Sequence, residues 1–179
     1  VLLLVFAAAS CSNNSDANVE QERKELREDL DAEFEEQTEE LTKAANELEQ
    51  KLAKLVEGHE ALDENHAGLD RVLDGKNLEE ETVKIQERHE KWEKQHRELI
   101  REAQDLIARF EQRKELHEEL EEGHGTASLE EIRTEHEQFE EDLAGFKKEF
   151  EETVKKMEEA ARQMEIIFVE HEDLLQKYQ

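Results

Sequence analysis

Apolar residues recur along almost the whole chain at alternating steps of four and three. From Leu78 the series continues through Thr82, Ile85, His89, Trp92, His96, Leu99, Ala103, Leu106, Phe110, Arg113, His117, Leu120 and His124. The positions between are almost all Glu, Lys, Arg, Gln and Asp. Such spacing keeps one narrow stripe on a single face of a long helix, the seam of a coiled coil. An earlier series starts at Leu26, Leu30 and Phe34 and settles into Leu41, Ala45, Leu48, Leu52, Leu55, His59, Leu62, His66, Leu69 and Leu73. A third runs from Leu129 and Ile132 through His136, Phe139, Leu143, Phe146, Phe150, Thr153, Met157, Ala160, Met164, Ile167, His171, Leu174 and Tyr178.

Two breaks separate the series. Asp74-Gly75-Lys76 supplies a glycine that can close a helix in the left-handed conformation, and Asn77 with Glu80 resembles a capping box for the next one. Gly123-His124-Gly125-Thr126-Ala127 is the second break, after which Ser128 and Glu131 form another capping-box pair. Gly58 and Gly68 lie inside the first series and are expected to loosen its last turns. The spacing predicts helices over 19–73, 77–122 and 128–178, each about 70 to 80 Å long at 1.5 Å per residue. Turns this short make neighbours antiparallel, so the expected fold is all-α: three long amphipathic helices in a single up-down-up bundle over residues 19–179. One continuous rod in an intermolecular coiled coil is the rival arrangement; the glycine breaks with new caps favour folding back.

Composition fits that picture and narrows the partners. The 179 residues include no proline, 42 % are charged and only 35 % are hydrophobic, which suits a thin shared seam better than a thick core. Disorder is the competing reading of so much charge, but disordered acidic segments do not hold a 3-4 repeat over dozens of residues. A net charge of −27 argues against nucleic acid and against helices lying on an anionic membrane. No run of about 20 apolar residues is present to span a bilayer.

The first residues differ in kind. Val1-Leu2-Leu3-Leu4-Val5-Phe6-Ala7-Ala8-Ala9-Ser10-Cys11 is an apolar run closed by small residues, and polar Ser12-Asn13-Asn14-Ser15-Asp16-Ala17-Asn18 follows. Such a run is the hydrophobic and cleavage region of an export signal, begun without Met or a basic stretch. Ala8-Ala9-Ser10-Cys11 resembles the lipobox of a bacterial lipoprotein precursor, and Cys11 is the only cysteine of the chain. The resemblance covers residues 1–16. It implies removal of 1–10, lipidation of Cys11, a flexible tether over 11–18, and a place in the cell envelope on the outer membrane, facing the periplasm or the cell surface. An ordinary signal peptide or a buried apolar terminus is the other reading of the same residues.

The eight histidines carry the remaining candidate chemistry. Five open a His-Glu-x-apolar pattern, at His59, His89, His117, His136 and His171, and His66, His96 and His124 follow three of them at seven residues. The zinc-protease spacing His-Glu-x-x-His never occurs, and histidines seven apart on one helix stand about 10 Å apart, too far to grip one ion. Reflecting the chain about its two breaks groups them across helices instead: His59 and His66 fall near His89, with His171 close to the level of His66. His117 falls near His136, with His124 nearby. Clusters of imidazole and carboxylate can take Zn, Cu or Ni, so His59, His66, His89, His171, His117, His124 and His136 are the candidate ligands. The same residues can equally serve as polar seam positions that set register, or as groups that charge near pH 6–7 and retune the seam. Trp92, Met157 and Met164 sit at seam positions and read as core. No phosphate loop, nucleophile elbow or paired cysteines occur. The sequence therefore predicts a non-enzymatic, membrane-anchored module that binds a protein partner or itself, with metal binding or pH response as the alternative.

Overall fold

The computed structural model describes the backbone of residues 12–123 and 127–179 and the side chains of 20–30, 32–119 and 127–179. The expected signal segment, Cys11 and His124 lie outside the described residues. The described chain is all-α, with no strand: three helices, α1 (Ser12–Leu73), α2 (Glu80–Gly123) and α3 (Leu129–Tyr178), packed together.

Local chemistry accounts for the helix ends. Gly75 takes φ 71°, and the Lys76 N–H donates to the Leu73 carbonyl at 3.0 Å, which closes α1. Ser128 accepts a hydrogen bond from the Glu131 N–H, and the Glu131 carboxylate accepts one from the Ser128 N–H, a complete capping box. The start of α2 departs from expectation. The first helical bond runs from the Val83 N–H to the Glu79 carbonyl, so Glu79 rather than Asn77 stands at the cap. Its support is tertiary: the Tyr178 hydroxyl of α3 accepts from the Glu79 N–H at 3.4 Å and bonds Thr82 Oγ1 at 3.0 Å.

The buried positions are those of the three seams. One long apolar cluster runs from Leu41 on α1 through Leu99, Leu106 and Phe110 on α2 to Phe150 and Ile167 on α3. A smaller one, Leu69, Leu73 and Leu174, packs with Leu78, Ile85 and Tyr178 beside the first turn. Each of these side chains removed from water contributes on the order of 1.5–3 kcal/mol. Between the two clusters stand imidazoles: His66 lies between Leu62 and Leu69, His89 between Ile85 and Trp92, and His171 between Ile167 and Leu174. The imidazoles interrupt the apolar core between these two clusters, and that level holds the candidate site. Ion pairs such as Lys51–Glu158, Lys147–Glu40 and Arg109–Glu149 cross between helices at the exposed edges. No helix of the described residues is long and apolar enough to cross a membrane.

Candidate metal centre

Each helix contributes one imidazole to the interrupted level, and each does so because its histidine holds a seam position that faces the axis. His66, His89 and His171 offer ligand atoms that all lie within 4.8 Å of one another, the only such grouping among the described residues. The His66 and His171 rings are 4.4 Å apart and those of His89 and His171 5.0 Å. His89 Nδ1 is 3.2 Å from His171 Nε2. Two nitrogens bound to one tetrahedral zinc at 2.0–2.1 Å are themselves about 3.3 Å apart, so this pair already stands at ligand spacing. Bringing His66 into the same sphere takes a shift of at most about 1.5 Å, from within 4.8 Å to about 3.3 Å, within the reach of a side-chain rotation. His66 is also the least buried of the three, its side chain 26 % exposed against 1 % for His89, and so forms the side open to solvent.

Of the carboxylates around the level, Glu170 orients a ring. Glu170 accepts from His89 Nε2 at 2.6 Å and is itself held by Arg88. With its Nε2–H given to Glu170, neutral His89 keeps the lone pair on Nδ1, which points at His171. This is the carboxylate–histidine arrangement that fixes a ligand's tautomer and raises its basicity. Glu93 Oε1 lies 3.1 Å from His66 Nδ1, but at an angle that makes no hydrogen bond.

Burial keeps His89 and His171 in the form a metal needs. Burial lowers the His171 pKa to about 4, with the neighbouring His66 and His89 adding to the effect. Burial also pulls His89 down, against the opposing pull of Glu170. Burial alone would push the Glu170 carboxyl up, but the hydrogen bonds from Arg88 and His89 outweigh it and hold it below the ordinary range. Glu93 is raised by burial, which His66 and Arg97 only partly oppose. Near neutral pH the level therefore presents His89 and His171 uncharged beside an ionised Glu170.

The other candidates are placed differently. His59 is not in the three-ring group; it lies one level away, its ring 5.3 Å from that of His96 and edge-on to it. His117 and His136 meet at 5.4 Å near the far turn, where Phe34 stacks on His117 at 3.5 Å. Sequence reasoning passed over Glu170 and His96. Glu170 shows no same-helix signal, because its partners are on α2; His96 was visible as the residue one heptad after His89. Glu93 could be read only as the acid four residues after His89, whereas it stands 3.1 Å from His66 across the interface.

No protein-family model matches the chain, and no match to it was found among curated proteins or solved structures.

Proposed function

We propose that this protein is a non-enzymatic, metal-binding module of the bacterial envelope, an acidic bundle that takes up a borderline divalent ion, foremost Zn(II), through His66, His89 and His171. The observation that carries it is the convergence of one imidazole from each helix within 4.8 Å. Three imidazole nitrogens around one point suit Zn, Cu or Ni better than the oxygen-seeking Mg or Ca. Three ligands also leave a fourth position for water or an exchangeable group, which suits buffering or sensing better than permanent structural binding.

The helices of this reading run up, down and up. Its support is the order of the cross-helix pairs. Along α2 and α3 the numbers move oppositely, from Thr82 with Tyr178 through His96 with Gln163 to Arg109 with Glu149 and Arg113 with Asp142. Along α1 and α3 they climb together, as in Glu40 with Lys147 and Lys51 with Glu158. Anchoring rests on the lipobox-like residues alone, with lipid on Cys11 mooring the bundle so that a protein partner or a second copy can dock on its surface. A Cys11→Ser variant expressed with its export signal should move from the membrane fraction to the soluble one; retention in the membrane would refute the anchor.

The metal reading is tested on the purified chain by competition with a chromophoric zinc chelator. One equivalent should bind at micromolar affinity or tighter. His171→Gln should abolish that binding, and Glu170→Gln should weaken it about 10- to 100-fold by releasing the His89 ring. Equal millimolar binding in all three proteins would leave the histidines as seam residues only.

A further inference from the structure

One heptad from the three-histidine level lies its counterpart on the same three helix positions: His59 on α1, His96 on α2 and Met164 on α3. We propose that this second level is a site for reduced copper, Cu(I), with His59, His96 and Met164 as ligands. The proposal uses none of the residues of the first level and does not depend on it.

Four observations converge here. A translation of seven residues along all three helices carries the first triple onto this second set of seam positions, about 10 Å away, where the His59 and His96 rings meet edge-on at 5.3 Å. Both ring nitrogens of His59 and Nδ1 of His96 are buried with no hydrogen-bond partner, while His96 Nε2 is held by Gln163 Oε1 at 2.9 Å. His59 and His96 are only 7 % and 2 % exposed, so water does not readily serve these nitrogens. Met164 reaches into the same level: its thioether presses on α1 at Gly58, the residue before His59, so closely that a Cβ there would collide with Met164 Sδ. Gly58 is thus a clearance for the sulfur rather than a weak point of the helix.

Donor chemistry selects the ion. Two neutral imidazoles and a thioether are soft, uncharged ligands, which suit a monovalent soft cation and disfavour Zn(II), whose double charge would be buried without compensation. Access is also provided. The two methionines of the chain, Met157 and Met164, both line an open groove of about 280 Å³ between α1 and α3, whose edge carries Lys51 and Lys54 beside Glu158 and Glu165.

The test titrates the full chain with Cu(I) under reducing conditions against bicinchoninate. It is repeated in a His66→Gln/His171→Gln variant, which dismantles the first level, and after Met164→Leu in each background, with helicity checked by circular dichroism. The first-level variant should keep one Cu(I) equivalent while losing zinc, X-ray absorption should show one sulfur among the copper neighbours, and Met164→Leu should remove that sulfur and weaken Cu(I) binding at least tenfold. Unchanged Cu(I) affinity after Met164→Leu, or copper with nitrogen neighbours only, would overturn the proposal and leave the zinc reading standing. Loss of zinc binding from the wild type with Cu(I) retained would do the reverse. Should the double variant unfold, Met164→Leu in the wild-type background gives the same sulfur readout.

Discussion

The two ends of the bundle use the same residue at the same kind of position and build different things from it. Near the first turn, His66, His89 and His171 meet one another and are flanked by Glu93 and Glu170. Near the second turn, His117 meets His136, but its faces are taken by hydrocarbon: Phe34 stacks at 3.5 Å and Phe139 meets it edge-on at 4.4 Å, with the Arg113 guanidinium 3.6 Å over the Phe139 ring. An imidazole held by a carboxylate at one nitrogen has a fixed tautomer and a lone pair free to coordinate; an imidazole between phenyl rings is a flat packing piece. What a seam histidine does is decided by its neighbours across the interface, not by its own heptad position.

The sharpest way to break this contrast is one substitution at each end. His89→Gln should lower zinc affinity about 1000-fold, roughly 4 kcal/mol, whereas His117→Gln should leave it within a factor of two, both read by chelator competition. A comparable loss in the two variants would mean that the ends do not differ as their surroundings imply. Melting curves of the same metal-free proteins should reverse the order, because His117 is the better-packed ring.

Acid should separate the ends next. A histidine whose folded pKa lies below its unfolded one binds its proton more readily when unfolded, so it holds full stability above about 6.5 and loses it as the pH falls toward the folded value. His171, at about 4, accounts for about 3 kcal/mol over that window, and His89, His96 and His59 act in the same direction. Glu93, raised by burial, works oppositely and returns a part. Glu170, held low by Arg88 and His89, adds a further loss once the pH drops below its unfolded value. Chemical denaturation of the metal-free chain from pH 7 to pH 4 should thus show a steady fall in stability. Ring-proton NMR should show the His171 signals still moving near pH 4. A stability that is flat over this range would contradict the burial of these rings.

How much of this was readable beforehand follows from what each feature depends on. The seams were legible because a 3-4 repeat survives any tertiary arrangement, and the Ser128 capping box because both partners lie within four residues. Register was legible only to about one helical turn. Reflection about Gly75 sets His59 level with Trp92, but the non-helical stretch before Glu80 shifts α2, and His59 meets His96 instead. That turn decides which histidines share a layer. Glu170, the Tyr178 support for Glu79 and the clearance at Gly58 all join residues of different helices, so no local pattern announces them.

Phe34→Leu gives the smallest effect and the finest discrimination. Leucine keeps most of the apolar volume beside His117 but cannot stack on its ring or meet Phe139 edge-on at 5.7 Å. Aromatic pairs of this kind contribute about 0.5–1.5 kcal/mol beyond the area they bury, so the variant should melt roughly 2–4 °C lower. Zinc affinity at the other end should not move, because the long apolar cluster lies between the two histidine groups and mutations far apart with no shared partner act independently. A drop of tenfold or more would show that packing at one turn sets ring positions at the other, and the bundle would then be a single coupled device rather than two independent ends.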